Sequence, residues 1–266
     1  MKPLFLKELR GNLKALLVWC AGIVFLIGMG AVEFSAGAEQ ENAALSKLMD
    51  GLPKIIKVMT GMSGFNVSTL EGYYGMLYLY VLLIGACQAV FLGAGIISKE
   101  ERDKTADFLY TKPLKRNTVI TAKLLAAVGN VTILAAVTWL SSKGFMSQYD
   151  LDGSFVRFIL IGSVNLLVTQ FVFLGIGFFV SAVTKTNAKA LAISGGITMF
   201  AYILYILVGM SEMLEKFIFL TPIRYFDFEL VLRGQTQTVY YFVSALIVAV
   251  TLVMTYVLYN RRNIKS

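Results

Sequence analysis

The sequence predicts an all-α polytopic membrane protein with six transmembrane helices, and three observations carry that prediction. The chain of 266 residues is 57% hydrophobic and only 15% charged, where soluble domains average about a quarter charged. Its apolar residues come in blocks of about 20, the length that crosses a hydrocarbon core about 30 Å thick. Between two of those blocks lies Lys99 to Arg116, with ten charged residues in eighteen. At about 2.5–3.5 kcal/mol each near the bilayer centre, those charges would cost about 25–35 kcal/mol if they simply added, so this stretch lies in water.

Taken in order, residues 1–12 open an amphipathic segment. Phe5, Leu9, Leu13 and Leu16 recur at helical spacing, while Lys7, Arg10 and Lys14 share another face. The expectation is an interfacial helix at 1–12, with a plain basic flank of the first span as the alternative. A cleavable signal peptide is disfavoured, because the apolar stretch from Leu13 to Val32 exceeds a usual h-region. Spans are placed at about 13–34, 73–98, 117–140, 155–181, 190–209 and 238–259, all within one transmembrane domain, 1–266. Tyrosines 73, 74, 78, 240, 241, 256 and 259 gather at their ends as an aromatic belt. Gly85, Ala89 and Gly93 form a small-residue stripe on the second span, suited to close helix packing.

The segments between spans differ in character. Residues 35–72 are long and carry amphipathic pieces such as Leu52–Met59, which suit a small external or interfacial helical cap. Residues 141–154 read as a plain polar loop. In 210–237 a helical run ends at Thr221-Pro222, and aromatics then mix with Arg224, Asp227 and Glu229. Two short helices dipping into the outer leaflet around the proline fit that pattern, and a surface loop fits it equally. With both termini and the loops 99–116 and 182–189 inside, 16 of the 24 basic residues face the cytoplasm. The positive-inside rule favours that orientation.

Several chemistries are excluded by what the residues lack. There is no histidine, so Ser-His or Cys-His nucleophilic sites, HExxH zinc sites and histidine proton relays are ruled out. No P-loop motif occurs, so no nucleotide is cradled by one. Cys20 and Cys87 both fall inside apolar blocks and read as small hydrophobes. The net charge of +8 follows the loop pattern and gives no reason to invoke nucleic acid. Within the spans Gln88, Asn130, Asn165, Thr169 and Gln170 read as interhelical hydrogen-bond formers. No carboxylate sits clearly at mid-span, which disfavours an ion-coupled carrier. The charged stretch alternates sign, then shows Phe108, Leu109 and Tyr110 before Pro113. That suits docking to a protein groove better than lying as a topology anchor on anionic lipid.

At these residues the chain resembles the permease subunits of ABC-2 type ATP-binding-cassette transporters. The matching run is Glu100, Glu101, Arg102, Asp103, Lys104, Thr105, Ala106, Asp107, Phe108 and Leu109, followed by Pro113-Leu114-Lys115-Arg116 and Lys123-Leu124-Leu125. Lys104 stands where a glycine is usual and Asp107 where a glutamate is usual. The resemblance extends to the six-span layout, the N-terminal interfacial helix, the Thr221-Pro222 break with its aromatics and the basic tail at 261–264. It implies a non-catalytic subunit in a bacterial plasma membrane, with both termini cytoplasmic, pairing with a second permease copy and a separate ATPase. No cofactor is expected on this chain, since ATP and Mg would sit on the partner. It implies a cytoplasmic coupling helix over Glu100–Tyr110 and an external gate built by Phe217, Thr221, Pro222, Tyr225 and Phe226. The implied function is ATP-driven export of an amphipathic or hydrophobic cargo such as a peptide, drug or lipid-like molecule. The alternatives are a non-transporting sensor or scaffold, or an ion-coupled carrier.

Overall fold

The computed structural model of the chain describes residues 2–39, 51–62, 68–102, 116–149, 153–184, 186–232 and 237–261. Among these are α1 (Lys2–Glu39), α2 (Lys54–Met59), α3 (Leu70–Arg102), α4 (Arg116–Met146), α5 (Gly153–Val183), α6 (Asn187–Met210), α7 (Phe228–Leu232) and α8 (Thr238–Arg261). Two 3₁₀ helices, Glu212–Leu220 and Arg224–Phe226, lie between α6 and α7. No strand occurs among the described residues. Six helices are long and apolar enough to cross a membrane: α1, α3, α4, α5, α6 and α8.

α3 and α5 are the centre of the bundle. About 67% of each apolar window is buried, against 28% for α1 and α6 and 11% for α8. Glycine makes that centre possible. A Cβ on Gly177 would lie 2.3 Å from the carbonyl oxygen of Val90, and one on Gly93 would lie 2.5 Å from that of Leu174. Backbone meets backbone there, which only a missing side chain permits. The Gly85, Ala89 and Gly93 stripe is thus spent inside the chain, against Leu166, Leu174 and Phe178. α1 packs chiefly on α4, α8 on α5, and α6 on α3.

Two sequence expectations change. Residues 1–12 are not a separate interfacial helix, because α1 runs unbroken for 38 residues. No proline interrupts it after Pro3, and a lone glycine at 11 costs too little to stop a helix. At about 1.5 Å per residue, α1 is about 57 Å long and must project beyond a hydrocarbon core of about 30 Å. On α1, Glu8 is buried while Leu13 is exposed. The plain loop at 141–154 shrinks, because α4 continues to Met146. Ser141 donates to the Val137 carbonyl oxygen at 2.8 Å and Ser142 accepts from the Tyr74 hydroxyl at 3.0 Å. Ser141 is thereby satisfied within the helix and Ser142 against α3.

Among the described residues of segment 35–72, of which 63–67 are not part, one short helix, α2, lies between α1 and α3. It lies on α6, with Lys54 Nζ donating to the Met210 carbonyl oxygen at 2.9 Å and Tyr202 donating to that of Met59 at 2.9 Å. Residues 40–50 of that segment lie outside the described residues.

Candidate functional site

The charged stretch is framed by the C-terminal end of α3 and the N-terminal end of α4. Glu100, Glu101 and Arg102 are the last turn of α3; they continue the span rather than open a new helix. Asp103, Lys104, Thr105, Asp107, Phe108, Leu109 and Tyr110, with the rest of the loop to residue 115, lie outside the described residues. What can be described is how each end is held.

The leading end is tied to α1. Lys99 Nζ lies 3.7 Å from the Glu8 carboxylate, with the glutamate side chain 2% exposed and the lysine 23%. Lys99 reaches Glu8 across Gly11, where a Cβ would sit 2.6 Å from Nζ. Taking a carboxylate out of water costs several kcal/mol, and the ammonium beside it offsets part of that cost. The trailing end is tied to α8. Arg116 Nη1 donates to the Asn260 carbonyl oxygen at 3.2 Å, Asn260 Nδ2 donates to Asn117 Oδ1 at 2.7 Å, and the Thr121 and Tyr256 hydroxyls are 2.8 Å apart.

Lys123 joins the two ends. Its side chain is fully buried and Nζ donates to the Ile96 carbonyl oxygen on α3. A strongly hydrated ammonium is rarely taken fully out of water, so its place between α3 and α4 is a specific one. Sequence reasoning grouped Lys123 with the interior-side bases and gave it no contact. The signal was a lone lysine seven residues inside an apolar run.

At the other end of the bundle lie the residues expected to gate. Thr221, Pro222, Tyr225 and Phe226 are buried, whereas Phe217 is half exposed. Thr221 Oγ1 donates to the Ile218 carbonyl oxygen at 2.8 Å, closing the turn that Pro222 enforces. Tyr225 stacks on Tyr240 of α8 at 5.1 Å and 10°, and its hydroxyl donates to the Phe219 carbonyl oxygen at 2.5 Å. Burial, with Tyr240 nearby, pushes the Tyr225 phenol up to about 12. Phe226 meets Tyr241 at 4.9 Å. These four hold the segment onto the bundle, and Phe217 alone of the five presents its ring outward.

Two features here were not legible beforehand. Phe228 is the hub of an aromatic cluster, 4.5 Å from Phe158 and about 6 Å from Tyr74 and Tyr78. It lies against Gly75, where a Cβ would come within 2.3 Å of its ring. Arg224 lies 3.8 Å from Asp227 and over the Tyr205 ring at 5.5 Å, while the Tyr205 hydroxyl points to the same carboxylate at 3.4 Å. That cluster fastens the segment to α6.

Inside the bundle the polar residues pair largely as expected. Gln170 Nε2 donates to Gln88 Oε1 at 3.2 Å, and the Tyr241 hydroxyl donates to Asn165 Oδ1 at 2.5 Å. Thr169 instead bonds within its own helix, to the Asn165 carbonyl oxygen. Asn130 is buried, with Nδ2 unpaired among the described residues.

Among the described residues, six long apolar helices and a centre of packed glycines define a polytopic helical membrane protein. The family model described as ABC-2 family transporter protein matches residues 3–264. The chain belongs to that family. Among curated proteins no sequence match is found.

Proposed function

We propose that this chain is the permease subunit of an ATP-driven exporter and takes its energy from a separate ATPase through residues 99–116. The observation that carries the reading is the double fastening of that stretch. Its leading end is held to α1 by Glu8 and Lys99, and its trailing end to α8 by Arg116, Asn117 and Asn260. A push on the loop would therefore reach both terminal helices as well as the two it connects. The absence of a P-loop motif and of histidine supports placing hydrolysis on the partner. On this reading the subunit binds no nucleotide, and ATP and Mg belong to the ATPase.

A second permease copy would complete the pathway. α1 and α6 offer the apolar faces for it, with Val18 and Phe25 on one and Met199 and Phe200 on the other exposed. An apolar pathway suits an amphipathic or hydrophobic cargo, whether peptide, drug or lipid-like. The membrane is the bacterial plasma membrane with both termini cytoplasmic, the orientation that the basic residues favour. The external short helices, led by Phe217, would form the outer gate.

The test is co-purification from the native membrane with the ATPase encoded beside it, followed by ATP-dependent flux in vesicles. Phe108→Asp and Leu109→Asp are expected to abolish ATPase capture while leaving insertion intact. Recovery of the chain without any ATPase, together with no ATP-dependent flux, would overturn the reading in favour of a non-transporting module. Unchanged capture by both variants would remove Phe108 and Leu109 from the docking contact.

A further inference from the structure

α5 and α8 touch at one level and part at another. At the contact, a Cβ on Gly175 would lie 2.5 Å from Thr251 Oγ1. Toward the N-terminal ends of both helices a cavity of about 370 Å³ opens between them, walled by Val168 and Phe171 on α5 and by Tyr241, Ser244, Val248 and Ala249 on α8. Its wall is apolar apart from the Ser244 hydroxyl and the Tyr241 phenol. Ser244 is 1% exposed, and its hydroxyl has no partner among the described residues. The Tyr241 phenol is already given to Asn165. One buried, unspent donor therefore lies just behind the otherwise hydrocarbon lining of the groove.

We propose that this groove binds one acyl chain of an ester-linked membrane phospholipid, with the ester carbonyl accepting from the Ser244 hydroxyl. Three observations select that occupant. The flanking face of α8, formed by Phe242, Leu246, Val250 and Val253, is exposed and apolar, so the groove opens onto the hydrocarbon that surrounds a spanning helix. From Tyr241 to Ala249 the groove runs about 12 Å along α8, and about 370 Å³ over that length suits a chain but falls well short of the roughly 900 Å³ that a helix about 10 Å across would fill. Its polar end lies one turn inside Tyr240 and Tyr241, and tyrosines favour the level where headgroups meet acyl chains. An unpaired buried hydroxyl is costly, and an ester oxygen relieves that cost. This proposal does not depend on the ATPase or on the cargo.

The experiment uses the full-length protein in nanodiscs containing an ester-linked phospholipid with a diazirine on its acyl chain. After irradiation, adducts are mapped by mass spectrometry. Adducts on 168–171 and 241–249 should exceed those at the equally lipid-exposed Phe25 and Phe200 by about tenfold. Ala249→Trp, on the exposed rim, should erase that excess while the protein still elutes as a single species. An ester-linked competitor should displace the probe about fivefold better than its ether-linked analogue, the ratio a single neutral hydrogen bond commands. In Ser244→Ala the two competitors should become equal. Even labelling over all exposed apolar faces would overturn the site, as would an excess that survives Ala249→Trp. Crosslinks from these residues to a second copy of the chain would assign the groove to a protein interface instead. Equal competition in the unmodified protein would overturn the role of Ser244.

Discussion

Removing the charge from Lys99 should harm this protein more than removing it from Glu8. The two groups are 3.7 Å apart, with the glutamate almost fully buried and the lysine partly in contact with solvent. At an effective dielectric near 20, unit charges at that distance attract by about 4 kcal/mol. Desolvation of the carboxylate offsets much of this, leaving a coupling of about 1–2 kcal/mol. Lys99→Met strands Glu8, an acceptor already short of hydrogen bonds, and should cost about 2–3 kcal/mol. Glu8→Gln leaves a lysine that can turn toward water, and should cost about 1 kcal/mol. The assay is reversible unfolding in mixed micelles, followed by the fluorescence of Trp19 and Trp139, on both single variants and the double variant. A coupling below about 0.3 kcal/mol, or a Glu8→Gln variant less stable than Lys99→Met, would refute the reasoning. In that case the leading end of the charged stretch is not held by α1 in the way described.

Other outcomes follow from the same geometry. Gly177→Val should destabilise by about 3 kcal/mol or more, because its Cβ would meet the Val90 carbonyl oxygen, which cannot move aside; loss of folded yield after membrane extraction checks it. Gly22→Ala, where nothing lies within 4 Å, should be silent by the same measure. Tyr225→Phe removes the bond to the Phe219 carbonyl oxygen and should cost about 1 kcal/mol. The phenol titrates higher in the folded chain, about 12 against an ordinary value of 10.0. Its contribution is therefore complete below pH 10 and lost as pH rises from 10 to 12, so the difference from Tyr225→Phe should stay flat from pH 6 to about 9. A difference that grows with pH in that lower range would count against it.

Legibility in the sequence followed the range of the physics. Spans were visible because insertion is decided within about 20 residues, and each was found within a few residues at most ends. The break at Thr221-Pro222 was visible because proline acts on its own turn. The number of short helices around it was not, since three occur instead of two. The contacts of Glu8 and Lys123 were not legible, for one reason. Each finds its partner on another helix, Lys99 and Ile96 respectively, and neither contact leaves a local trace.

The distribution of close packing bears on how force could cross this subunit. α3 and α5 meet backbone to backbone at Gly93 and Gly177, and a contact of that kind has no side chain to repack. Such a pair moves as one body, since packed interfaces change by discrete steps rather than by continuous deformation. α1, α6 and α8 pack on that centre through side chains and carry polar ties near their ends: Glu8 with Lys99, Arg224 and Asp227 with Tyr205, and Arg116 and Asn117 with Asn260. End contacts of one or two polar pairs each contribute about 1–2 kcal/mol, small beside the cost of separating α3 from α5. On the proposed function, then, a push at 99–116 would carry α3 and α5 together and strain the end contacts first. The terminal helices, not the central pair, are where relative motion should be sought, and a crosslink between α1 and α3 near Glu8 should block coupling while one between α3 and α5 should leave it intact.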